Sequence, residues 1–181
     1  MRLRHITSLL VLMASAASAA PLPPPRDIME MFGIFDAMCI ESNGNLTSEH
    51  PMLADMIKQK IAQEVEPNIW QFTLQQMGER HNYVLLQYTI MNTPMCRVDA
   101  NHGSSADIRS TAEFMASRLT EKWGGTMNKT SKELMGHPDV VFDNYEITVP
   151  GKEHAAMISV SSTDKSDARP MRHAVAFSAA Y

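Results

Sequence analysis

Residues 70–90 read WQFTLQQMGERHNYVLLQYTI, and their alternation decides the fold. Trp70, Phe72 and Leu74 alternate with Gln71, Thr73 and Gln75. After a break at Gly78 to Asn82, Val84, Leu86, Tyr88 and Ile90 continue the period of two. Apolar side chains at every second residue line one face of a strand. Two such runs joined by a polar segment of about five residues predict an antiparallel hairpin. The opposite, solvent face is expected to carry Gln71, Thr73, Gln75, Tyr83, Gln87 and Thr89. Polar side chains with an aromatic among them suit a wet interface, so these six are the expected partner-binding residues. The plainer alternative is a merely solvated sheet face.

The surrounding chain extends the pattern. Cys96-Arg97-Val98 predicts a third strand after Pro94. Upstream, Asp27 and Glu30 have capping-box spacing, and Ile28, Met31, Phe32, Phe35 and Cys39 share one helical face. Ser42 to Asn45 is turn chemistry, and Pro51 suits the first turn of a second helix carrying Met52, Leu53, Met56, Ile57 and Ile61. Pro67 stops that run. Downstream, Ser104 or Ser105 caps a third helix whose Ile108, Ala112, Met115, Ala116 and Leu119 face one way, with Gly124-Gly125 at its end. Residues 126–138 are mixed and read as loop. Val140 to Val149, His154 to Ser162 and Met171 to Ala180 read as three more strands. Ala174, Ala176 and Ser178 give the last one a small-residue face suited to close helix packing. The expected fold is α+β in the order ααβββαβββ, with three helices over a mostly antiparallel sheet of about six strands and one disulfide. Two three-strand groups around one helix suggest a degenerate duplication, although no residue-level repeat accompanies it.

The first residues predict export. Arg2 and Arg4 precede the apolar run Ile6 to Met13, and Ala14 to Ala20 contains only Ala and Ser. Ala17-Ser18-Ala19 fits a cleavage site, with Ala16 and Ala20 as alternative cut points. The apolar run is about half the ~20 residues that span a bilayer. The expected division is a signal peptide at 1–19, a Pro-rich leader at 20–26 and a single α+β domain at 27–181, in a periplasmic or secreted protein.

Charge and cysteine usage agree with that compartment. The chain has 16 basic and 20 acidic residues, and losing Arg2 and Arg4 leaves 14 against 20. A net anion without a basic run is a poor partner for nucleic acid. The two cysteines, Cys39 and Cys96, are expected to form one disulfide in an oxidising compartment, pinning the first helix to the sheet.

Sequence signatures of chemistry are sparse. No G-x-S-x-G elbow, glycine-rich phosphate loop, H-E-x-x-H helix or EF-hand pattern occurs, and no cofactor is called for. His102 and Ser104 lie near each other in sequence, but such a cluster more often caps a helix than catalyses. His81 and His102 are expected in loops. The chain carries 15 methionines, most of which suit core packing. One set suits Cu(I): His154 and Met157 on one strand, and Met171 and His173 on the next. Residues three apart face opposite sides of a strand, so this site requires a bulge. Asn45 and Asn128 head glycosylation acceptor patterns. These features favour an exported, non-enzymatic binding or inhibitor-type module whose partner is a protein or cell-envelope component. An envelope-directed hydrolase and a Met/His copper carrier are the alternatives.

Overall fold

The computed structural model describes residues 26–76, 78–134, 137–165 and 171–180. The expected signal peptide, and all of the leader except Arg26, lie outside the described residues, as does the side chain of the expected cap Asp27.

Helix α1 spans Arg26–Phe35 and passes into a π-helical turn at Asp36–Ile40. Ile28, Met31, Phe32, Phe35 and Cys39 are all buried, as their spacing of three and four requires. The turn widens where Glu41 N–H donates to the Asp36 carbonyl at 3.1 Å. Helix α2 (Pro51–Lys58) starts on proline and buries Leu53 and Met56. It ends before Ile61, which is exposed, as is Met52. Helix α3 (Ser105–Trp123) is capped by Ser104, whose Oγ accepts from Asp107 N–H at 3.1 Å. Gly124 ends it in the left-handed conformation at φ 62°. No helix among the described residues is long and apolar enough to cross a membrane.

The strands are β1 (Ala62–Glu66), β2 (Ile69–Gln76), β3 (Glu79–Ile90), β4 (Thr93–Ala100), β5 (Thr126–Leu134), β6 (His137–Thr148), β7 (Ala156–Ser162) and β8 (His173–Ser178). They form one antiparallel sheet in the order β1-β2-β3-β4-β8-β7-β6-β5. Two four-strand meanders, each preceded by helix, therefore meet at the β4–β8 seam, where Val98 lies opposite Val175. The α+β expectation holds, but the described sheet has eight strands rather than about six. The two additions are the edge strands. Only Ala62 of β1 is buried, and the side chains of β5 read TMNKTSKEL. An edge strand with little to bury carries almost no hydrophobic alternation, so neither strand announces itself in sequence.

The second correction concerns phase. Residues 79–82 belong to β3 and pair with β2, from Gln76 opposite Glu79 to Phe72 opposite Tyr83. The tight turn thus places His81, Tyr83 and Leu85 toward the helices, and Val84, Leu86, Tyr88 and Ile90 on the other face. Both phases of residues 83–90 contain apolar side chains, and a one-residue shift exchanges the two faces.

All three helices lie over one face of the sheet. Trp70, Phe72, Tyr83, Leu85, Val98, Tyr145, Ile147, Ile158, Val160, Val175 and Phe177 form the core beneath them. The Cys39–Cys96 disulfide joins the π-turn to β4, with Cα atoms 5.1 Å apart. A charged clip holds α3 to β6: Arg109 Nε donates to Asp143 Oδ2 at 2.6 Å and Nη2 to Oδ1 at 3.2 Å. Gly125 follows α3 where a Cβ would collide with the Thr148 carbonyl oxygen. Gly125→Ala is therefore expected to cost about 2 kcal/mol, read as a lower urea midpoint at unchanged slope. A loss below about 0.5 kcal/mol would show that the backbone there yields freely.

Candidate functional site

The face opposite the helices holds the candidate site. Its geometry follows from strand register. One row across it reads Leu86, Arg97, Ala176, Ser159 and Asn144. The next reads Val84, Asp99, Ala174, Ser161 and Phe142. On β8 and β7 every side chain in these rows is small, whereas the flanking strands carry large ones. The result is a trough of about 290 Å³ running along the strands. Ala174, Ala176, Ser159 and Ser161 floor it, between Tyr88, Met95 and Arg97 on one side and Phe142 on the other. Ala174 and Ala176 are each only 5% exposed, although they lie on the face away from the helices.

The trough is mainly apolar, with one charged side chain, Arg97, in its wall. Arg97 Nε and Nη2 donate to Asp99 Oδ1 and Oδ2 at 2.5 and 2.7 Å. Asp99 is buried. Burial works against the Arg97 charge, but the hydrogen bonds and charge of Asp99 outweigh it and raise the guanidinium pKa. Burial also pushes the Tyr88 hydroxyl up, with Arg97 opposing it. Ser159 Oγ donates to Asn144 Oδ1 at 2.7 Å, which satisfies the polar floor. A concave, mostly apolar surface with a few placed polar groups is the usual form of a binding site.

Beside the trough, over β1 to β3, lies a more polar basin of about 570 Å³. Lys60, Gln63, Gln71, Thr73, Asn82 and Met171 are among its lining residues. Val84 lines the basin, and Leu86, on the same face, lines neither depression.

The expected partner residues divide between the faces. Gln71, Thr73 and Gln75 stand on the helix-free side, and Gln71 and Thr73 line the basin. Tyr83 is buried under the helices and stacks on Phe72 at 5.2 Å. Gln87 shares that side, and its Oε1 accepts from Leu46 N–H at 2.8 Å. Thr89 has the same phase as Gln87. The expected copper ligands do not converge. Met157 pairs with Ser178 and His173 with Ser162, which sets them about 17 Å apart along the ladder. Met157 lines the trough and Met171 the basin, and His154 is exposed before β7. His173 is buried, with Nε2 3.0 Å from the Gly103 carbonyl oxygen.

Sequence reasoning missed two groups. Arg97 lies in a recognised strand, and its alternation with Val98 was a signal that it faces away from the core. The other group is a histidine cluster. His81 is a buried strand residue, not a loop one, with Nδ1 3.3 Å from Glu30 Oε2. His102 stacks on it with ring centroids 4.1 Å apart, and its Nε2 is 3.1 Å from the Tyr83 hydroxyl. The cluster ties α1, β3 and the β4–α3 loop together. Only the fold brings these groups near each other, since Glu30 is 51 residues from His81.

No family model, curated protein or solved structure matches the chain.

Proposed function

We propose that this protein is an exported, non-enzymatic binding module, periplasmic or secreted, that takes an apolar part of a protein or cell-envelope component into the trough. The observation that carries this reading is the small-residue floor between large walls, on a sheet face away from the helices. A disulfide supports an oxidising compartment. The test is capture from envelope extract by the disulfide-intact domain, compared with Ala176→Phe. The added ring fills the trough from its floor, and loss of at least nine-tenths of the captured partner is expected. Equal capture by a folded Ala176→Phe domain would remove the trough from the function.

A second reading, hydrolysis of envelope material, draws on the cluster of Glu30, His81, His102 and Tyr83. Imidazole and carboxylate groups in contact are the usual materials of acid–base catalysis. It expects turnover of an envelope polymer that His102→Gln abolishes while the thermal midpoint stays near that of the parent.

A further inference from the structure

The basin over β1 to β3, at about 570 Å³, is twice the volume of the trough and shares no lining residue with it. Its floor is set by register. Gln63 lies opposite Gln71, and Gln71 opposite Val84, in one row. Thr73 lies opposite Asn82 two residues along. Adjacent strands are about 5 Å apart, and the two rows are about 7 Å apart along the strands. Three carboxamides and a hydroxyl therefore share a patch close to the footprint of a sugar ring. The walls come from other parts of the chain. Lys60 and Ile61 follow α2, where Lys60 takes the left-handed conformation at φ 58° and Ile61 N–H donates to the Met56 carbonyl at 2.9 Å. Met171, just before β8, supplies another wall.

The lining selects a ligand. A carboxamide both donates and accepts, as a sugar hydroxyl does. Thr73 Oγ1 donates to Asn82 Oδ1 at 2.8 Å, which fixes that carboxamide and leaves its N–H2 to donate. Ile61, which is exposed, and Val84, which is half-buried, offer aliphatic surface to the C–H face of a ring. Lys60 is the one charged residue among the described lining, too little for a nucleic-acid backbone. An extended peptide is matched less well, because β2 and β3 are paired on both sides and offer it no strand edge. We propose that the basin is a second binding site, for a neutral saccharide, whose hydroxyls are held by Gln63, Gln71 and Asn82. This site stands independently of the trough.

The experiment titrates the disulfide-intact domain with chitotriose, cellotriose and maltotriose, followed by amide NMR. At least one is expected to bind with a Kd of about 1 mM and to shift the side-chain N–H2 signals of Gln63, Gln71 and Asn82. Gln71→Leu, a change on an exposed sheet face, is expected to weaken that binding about tenfold, the effect of two lost hydrogen bonds. Ala176→Phe, which fills the trough, is expected to bind the sugar like the parent. Failure of all three sugars to bind overturns the site. So does a folded Gln71→Leu domain that binds within twofold of the parent. Loss of sugar binding in Ala176→Phe moves the ligand to the trough and also overturns the site. Trigalacturonic acid, a charged counterpart, is expected to bind no tighter than the neutral sugars. Tenfold tighter binding that salt weakens would assign the basin to an acidic ligand held by Lys60 and overturn the neutral class.

Discussion

Replacing Cys39 and Cys96 together by alanine is expected to destabilise the protein by about 4 kcal/mol. The bridge joins residues 57 apart in sequence. Without it the unfolded chain regains the entropy of an unclosed loop of that length, which is where most of the loss arises in the chain-entropy model. Both cysteines are fully buried, so the alanines also vacate core volume. The thermal midpoint is expected to drop by roughly 10 °C, given about 2–4 °C per kcal/mol for a domain of this size. The urea slope is expected to rise, because the uncrosslinked chain exposes more surface on unfolding. A double variant within about 1 kcal/mol of the parent would mean that the bridge constrains little that the core does not already hold.

The second large effect lies at the clip between α3 and β6. Removing the cation by Arg109→Ala leaves the fully buried Asp143 side chain without its bidentate partner. The expected loss is about 3–5 kcal/mol, because the carboxylate stays desolvated with only Ser131 and the Lys129 charge left to offset it. Arg109→Lys is expected to recover only part of it, since an ammonium cannot make the two parallel bonds. Acid dependence supplies an independent check. Burial alone raises the Asp143 pKa, but hydrogen bonds from Arg109 and Ser131 and the charges of Arg109 and Lys129 prevail and hold it below the usual carboxylate range. A depressed native pKa means stability that is complete above the unfolded value, about 3.9, and is lost as pH falls through the native value. In Arg109→Ala only the Ser131 hydrogen bond and the Lys129 charge still oppose burial, so protonation relieves more of the defect than it does in the parent. The gap between parent and variant, followed by urea denaturation, is expected to shrink as pH falls below about 4. A gap independent of pH would locate the loss in the packing of the Arg109 side chain instead.

Local pattern was enough for several elements. The spacing of Ile28, Met31, Phe32, Phe35 and Cys39 exposes the face that α1 buries, because helical neighbours lie three and four residues apart whatever covers them. Ser104 and Gly124 are legible as ends of α3 for the same reason: capping is a contact between residues one turn apart. The cysteine pair was readable by elimination, there being two thiols in the chain. The edge strands β1 and β5 were not legible, since a strand that buries little leaves little trace in composition. The four expected copper ligands lie near one another in sequence only because β7 and β8 are consecutive, and antiparallel pairing sends their ends apart.

By itself the sequence determined the periods: 3.6 for the helices, two for the hairpin, and therefore an α+β domain with one bridge. Tertiary structure alone decided which phase of β3 turns inward and which sheet face stays clear of helices. Residues 83–90 offer apolar side chains in both phases, so local preference is nearly balanced and the register against β2 breaks the tie. The trough is a further step removed. Its walls and floor come from β3, β4, β6, β7 and β8, and their rows align only through hydrogen-bonded ladders between segments as distant as Arg97 and Ala176. No periodicity within one segment records such an alignment, because it is a property of neighbours in space.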